Sequence, residues 1–203
     1  MTSLCQRLFF AALIYFAVSG FWAMPASAND FEMETFTEQS LAAQRTMLEQ
    51  GDEMLEAYKS GRATCKERVI VPESDLTAEE REFLVLINNY RKKYRLQSLQ
   101  VSRCLTVASR WMSQDMGKKN YFDHQDSHGR DPSERVQIFG VKTFSGENIG
   151  AGYRDAKAMF QGWKTSPGHN RNMLSKTHKY IGIGHMIVPN SVYKDYWTTD
   201  FGY

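Results

Sequence analysis

The stretch GWKTSPGHNRNML, residues 162–174, decides how this chain reads. Trp163 closes a run in which Ala156, Met159, Phe160 and Trp163 stand at i, i+3, i+4 and i+7. That is the spacing of one helical face and predicts a helix over 154–165. Ser166-Pro167-Gly168 stops the run, and the same residues suit the start of another helix, with Ser166 as N-cap and Pro167 at the first position. His169 then falls at the third helical position, where the positive helix end disfavours imidazolium. The spacing predicts a neutral His169, the form that binds metals and accepts protons. Taken alone, such a position more often houses a structural histidine.

The surrounding residues punctuate into one layered domain. Thr77 and Glu80 form a capping box before Phe83, Leu84, Ile87, Tyr90, Arg91 and Tyr94, which predicts a helix over 78–95. LQSLQV (96–101) turns the chain, and Leu105, Ala108, Trp111, Met112 and Met116 mark a second helix over 102–117. Asp131, Pro132 and Glu134 open a short third helix that ends at Gly140. Strand signals come later: ENIGAG (147–152), YIGIGHMIVP (180–189) and VYKDYWTTDFG (192–202), the last two able to pair across PNSVYKD. Helices early and strands late predict an α+β layered domain over residues 75–203.

Residues 1–28 are set apart. Arg7, an apolar run from Leu8 to Met24, and Ala26-Ser27-Ala28 have the layout of a cleavable secretory signal. Cys5 precedes the apolar run and so does not read as a lipid-attachment site. Loss of this segment removes one arginine and no acid, so the formal charge of +2 becomes +1. A nearly neutral chain carries no basic bias toward nucleic acid. Membrane contact is expected only through the signal segment before cleavage, and the destination is secreted or periplasmic. Cys65 and Cys104 remain after export. In an oxidising compartment they form one disulfide or stay as two buried thiols. Residues 29–74 carry Leu41, Leu48, Leu55 and Tyr58 on one narrow stripe. They predict an amphipathic helix over 36–60 and a connector, the helix either lying on the main domain or recruiting a partner.

Five motifs then occur in order: YFDH (121–124), GENI (146–149), WKTSPGHNRNML (163–174), IGIG (181–184) and YWTTDFG (196–202). Together they resemble the CAP superfamily, also called SCP or pathogenesis-related-protein-1-like, in its bacterial secreted branch. The resemblance covers residues 75–203. It implies a three-layer α-β-α sandwich with a small, mainly antiparallel central sheet and a cleft holding two histidines and an acid. Mapped onto this chain, these are His124, His169 and Glu147. The chain departs from the animal members, which have a second glutamate on the helix before the second histidine.

His124 and His169 are the expected ligands of a divalent metal, zinc foremost, with water completing the shell. Glu147 is a third ligand, a partner that fixes a histidine tautomer, or a base on bound water; the tautomer role is preferred. A hydrogen-bonded structural knot is the alternative to all three. The resulting reading is a secreted, non-enzymatic module whose cleft binds a lipid, a small peptide or an envelope component. The alternative is a metal-dependent extracellular hydrolase of protease type, with Glu147 as its base. Ser166 reads as a cap, since the nucleophile-elbow pattern is absent. Asp200 reads as support for the strand end or cleft, and Arg135 as an anchor for its helix. His128 reads as surface loop, His178 and His185 as packing or edge positions, and Trp111, Trp163 and Trp197 as core. No H-E-x-x-H and no phosphate-binding glycine loop occur in the chain.

Overall fold

The computed structural model describes residues 53, 55–61, 70 and 72–203. The expected signal segment, most of the 36–60 helix and Cys65 lie outside the described residues. The first helix, α1 (Ala78–Lys93), opens on the Thr77/Glu80 capping box in both directions. A two-residue strand, β1 (Gln100–Val101), follows, where the sequence predicts only a turn. Next come α2 (Arg103–Lys119), α3 (Pro132–Ile138), β2 (Phe144–Ala151), α4 (Ala156–Thr165), α5 (Pro167–Met173), β3 (Tyr180–Ile187) and β4 (Asp195–Gly202). Leu96–Val101 ends in a strand because Gln100 and Val101 pair in parallel with Tyr180 and Ile181.

The four strands form one sheet in the order β1-β3-β4-β2. β3 and β4 are an antiparallel hairpin, and β4 pairs antiparallel with β2. One apolar cluster joins Phe83, Ile87, Trp163, Ile183, Trp197 and Phe201 on the face covered by α1 and α4. A second joins Leu105, Ala108, Trp111, Met112, Met116 and Tyr196 on the face covered by α2. Helices on both faces of a small, mainly antiparallel sheet give the α-β-α sandwich. Trp111, Trp163 and Trp197 are all buried. Leu55 is buried and Tyr58 packs edge-on against Phe139, 5.3 Å between ring centroids, so the helical residues 55–59 lie on the second cluster.

The contact of α2 with β3 is unusually close. A Cβ built on Gly182 would stand 2.1 Å from the Leu105 carbonyl carbon, and one on Gly184 would stand 2.4 Å from Arg110 N and from the Ser109 carbonyl carbon. Only glycine lets the helix backbone descend this far onto a strand. At that depth α2 presents small polar residues. Ser113 Oγ donates to Gly184 O at 3.0 Å and lies 2.9 Å from Thr198 Oγ1. Ser109 Oγ donates to Asp200 Oδ2 at 2.8 Å.

Two buried charged residues lock the layers. Glu80 caps α1 and also accepts from Arg110 of α2, Nε to Oε1 at 2.8 Å. Arg91, fully buried, donates to the carbonyls of Gln97, Met173, Ser175 and His178 at 2.8–3.2 Å. These bonds offset the desolvation of its guanidinium. They also tie the end of α5, and with it His169, to α1. Gly184→Ala is expected to destabilise the fold by about 1–3 kcal/mol, the cost of overpacking a filled site. Gly168→Ala meets nothing within 4 Å and should hold or gain up to about 1 kcal/mol, as Ala replaces Gly in a helix. Urea unfolding of both variants measures the difference.

Candidate functional site

The site is assembled from three places in the chain. His124 lies on the loop after α2. Two carboxylates of buried residues hold that loop: Asp115 accepts from Ser127 N at 2.9 Å and Ser127 Oγ at 2.7 Å, and Asp126 accepts from His128 N at 2.9 Å and Arg130 Nε at 2.7 Å. Glu147 sits on β2, directly across the sheet from Asp200 of β4. His169 is the third residue of α5. Its carbonyl accepts from Asn148 Nδ2 at 3.2 Å, while Asn172 Nδ2 donates to Glu147 O at 3.0 Å. β2 is an edge strand, and the asparagines cover part of its exposed backbone.

Glu147 is the hub. Its Oε1 lies 2.7 Å from His124 Nδ1, and its Oε2 accepts from Arg135 Nη2. Arg135 also donates through Nη1 to His124 O at 3.0 Å. The side chains of Arg135 and Glu147 are 0% and 1% exposed, whereas that of His124 is 50% exposed. The arginine therefore does more than anchor its own helix. It compensates the buried carboxylate and fixes the backbone of the histidine loop. Its guanidinium reaches across from the first turn of α3, which the Asp131/Glu134 capping box sets firmly.

The two histidines are pushed in opposite directions. The hydrogen bond from Glu147 raises the His124 pKa against the opposing effect of burial, with smaller contributions from Asp123 and Arg135. Burial lowers the His169 pKa, and the charge of His124 adds to it. Both favour the neutral form that the place of His169 in the sequence predicts. Its Nδ1 is buried without a hydrogen-bond partner. Burial, with Glu147 beside it, pushes the Asp200 carboxyl well above the usual carboxylate range. Asp200 lies beneath the cluster, held by Ser109.

Ser166 is the N-cap of α5 by position, yet its hydroxyl makes no capping bond. The capping bond expected of this serine is absent. Ser166 instead lines a cleft of about 310 Å³ along the edge of β2, with Phe122, Tyr153, Trp163, His169 and Tyr193. His128 is exposed, as a loop residue should be. His178 stacks on Phe201 at 4.8 Å, and His185 stacks on Trp197 at 4.0 Å with Nε2 3.1 Å from Asp195. Both are packing residues. Among the described residues, no three of His, Cys, Asp and Glu converge as a metal-holding group. Arg135 and the aromatic cleft were not singled out as site features by sequence spacing. The only hint was the placement of Arg135 one residue after a capping-box glutamate.

Glu147→Gln should bring the His124 pKa down toward the ordinary value of about 6.5, read by NMR titration of its ring protons. A raised histidine pKa adds stability that is full below the unfolded value and disappears as pH rises through the folded one. His124→Ala should remove that contribution on the acid side. Arg135→Met should lower stability by about 3–5 kcal/mol, because it leaves Glu147 buried without its guanidinium, with only the half-exposed His124 beside it. Pairing it with Glu147→Leu should recover part of the loss in denaturant titrations.

The profile of the CAP family, described as the cysteine-rich secretory protein family, matches residues 84–201. An uncharacterized Bacillus subtilis protein, YkwD, is 36% identical over 56% of this chain and 44% of its own length. An uncharacterized membrane protein of the same organism, YlbC, is 29% identical over 62% of this chain and 34% of its own. The chain thus spans less than half the length of these relatives. Among solved structures, an extracellular protein containing an SCP domain from Bacillus anthracis superposes with a TM-score of 0.55 at 29% identity, covering 61% of this chain and 40% of that one. An outer surface protein of Borrelia burgdorferi superposes at 0.57 and 19% identity, covering 63% and 94%, a likeness of fold. With the family profile spanning more than half of the chain and the sandwich built as its motifs imply, the protein belongs to the CAP family.

Proposed function

We propose that this protein acts outside the cytoplasm as a non-enzymatic CAP-domain binding module, with His124, Glu147 and His169 at its ligand cleft. One observation carries the reading: both oxygens of Glu147 are committed, one to Arg135 and one to His124. A carboxylate held by a buried guanidinium is a poor general base. The hydrolase alternative would need that same group to accept a proton from water. What remains is a rigid frame that presents one half-exposed imidazole and one neutral imidazole beside an aromatic cleft. Rigid, prearranged sites of this kind suit recognition.

Export is supported by the signal-like layout of residues 1–28 and by the likeness to an extracellular SCP-domain protein. Among the described residues no helix is long and apolar enough to cross a membrane. We also propose that Cys65 pairs with Cys104. Cys104 is wholly buried, and the antiparallel bridge of Ile70 to Ser102 brings the chain just beyond Cys65 to the start of α2. The helix over 36–60 is proposed to lie on the domain through Leu55 and Tyr58, which leaves its other faces for a partner.

The donor set fits a weak divalent site. His124 and His169 would hold the ion, zinc foremost, and water would fill the other positions. Glu147 would orient His124 from behind. Such an ion would supply Lewis acidity for gripping a polar ligand group. The check is the metal content of the exported protein, purified without chelator or affinity histidines, with zinc titration of wild type, His124→Ala and His169→Ala. A titratable site lost in both variants is the expected result, together with zinc binding weakened by about 10–100-fold in Glu147→Gln and no turnover of casein in wild type. Casein turnover that Glu147→Gln abolishes while metal stays bound would replace the binding reading with the hydrolase.

A further inference from the structure

We propose that the aromatic cleft beside His169 receives an uncharged sugar ring, so that the ligand of this module is a neutral glycan. The inference rests on the binding reading above and names its ligand class. The cleft runs along the edge strand β2, between α4 and α5 on one side and the loop after α2 on the other. Its volume of about 310 Å³ stands at the small end of the ~300–1,000 Å³ usual for small-molecule sites.

Three features of the wall select the ligand. First, none of the lining residues is Lys, Arg, Asp or Glu. A sulfated, phosphorylated or carboxylated ligand would find no counter-charge there. Second, the rim is aromatic and open. Phe122, Tyr153 and Tyr193 are each more than a third exposed, and Phe122 meets Tyr193 edge-on at 6.1 Å. Open aromatic faces suit the C–H face of a pyranose ring. Third, the wall keeps spare hydroxyls. Ser166 makes no capping bond, and the Tyr153 and Tyr193 hydroxyls make no hydrogen bond among the described residues.

The third feature separates a sugar from a lipid chain. An alkyl chain would cover those hydroxyls and leave them unpaired, which is unfavourable. A sugar offers donors and acceptors at the edge of an apolar face and satisfies both kinds of surface. Glycine at 162 seats the rim tyrosine: a Cβ there would stand 2.9 Å from the Tyr153 hydroxyl.

Trp163 provides the readout. Its Nε1 donates to Ile149 O at 3.0 Å on the cleft wall, so its indole resonance should respond to an occupant. The exported protein, labelled with ¹⁵N, is titrated with chitotriose, cellotriose and maltotriose. A saturable shift of the Trp163 indole signal with at least one of them is expected. Tyr153→Ala and Tyr193→Ala should weaken that binding by about three- to tenfold each, the worth of one aromatic contact. Both side chains are exposed enough for the variants to fold, and Tyr153→Phe tests the hydroxyl alone. Val85→Ala, exposed on α1 and outside the cleft lining, should keep the shift. Silence toward all three sugars at tens of millimolar overturns the proposal. A response instead to phosphatidylcholine vesicles or to a neutral aliphatic tripeptide overturns the glycan while leaving the binding module standing. Silence toward every probe removes both.

Discussion

The architecture depends on how close α2 comes to β3. Two glycines on the strand, Gly182 and Gly184, allow helix backbone to touch sheet backbone, where an alanine would collide with a carbonyl carbon or an amide nitrogen. The consequence reaches the site. At that separation the helix can offer only short side chains, and Ser109 and Ser113 fill the layer with hydrogen bonds rather than bulk. Ser109 reaches Asp200, and Asp200 stands opposite Glu147. A packing constraint in the middle of the molecule thus sets the polarity beneath the cleft.

That polar layer has to balance its charge. Arg135 is the guanidinium against Glu147, and two ionised carboxylates beside it would leave one uncompensated in a dry layer. Burial, with Glu147 beside it, raises the Asp200 carboxyl above the usual carboxylate range, and Ser109 holds one of its oxygens. Glu147 meets Arg135 through one oxygen and holds His124 with the other. His124, half exposed, takes the proton more readily than a free imidazole, and His169 less readily. Two histidines in one cleft are thereby given different chemical states by their surroundings. Both differences come mainly from burial and from groups distant in the chain, with Asp123 a minor neighbour of His124.

That explains what could be read from the sequence and what could not. Helices announced themselves through local rules: the Thr77/Glu80 and Asp131/Glu134 boxes, the spacing around Trp163, and Pro167 after Ser166. The β3–β4 hairpin was legible because its aromatic and β-branched runs flank a turn. β1 was missed because two residues carry no periodicity and pair only through a partner eighty positions away. His124, Glu147 and His169 could be named from motif likeness, yet their roles could not. Arg135 is assigned by its long reach from α3 to Glu147 and His124 O, a relation that no spacing encodes. For His169 the helix end is legible in the sequence, while the burial and the second imidazole that also lower its pKa are not.

The helix before the second histidine shows how the cleft departs from the four-residue pattern of the animal members. Its last turn supplies Gly162 and Trp163 and no acid, and it leads into Ser166. With one carboxylate, already shared between Arg135 and His124, the cluster is electrically balanced as it stands. A divalent cation would bring two positive charges to two imidazoles, one of which is biased toward protonation by the carboxylate that orients it. The ion would have to displace that proton and sit beside Arg135, so its affinity must be modest and must rise with pH. An uncharged organic ligand faces no such opposition. It meets aromatic faces and spare hydroxyls on one side and a neutral imidazole on the other. The electrostatics of the cleft therefore argue for the neutral ligand proposed above over a tightly held cation.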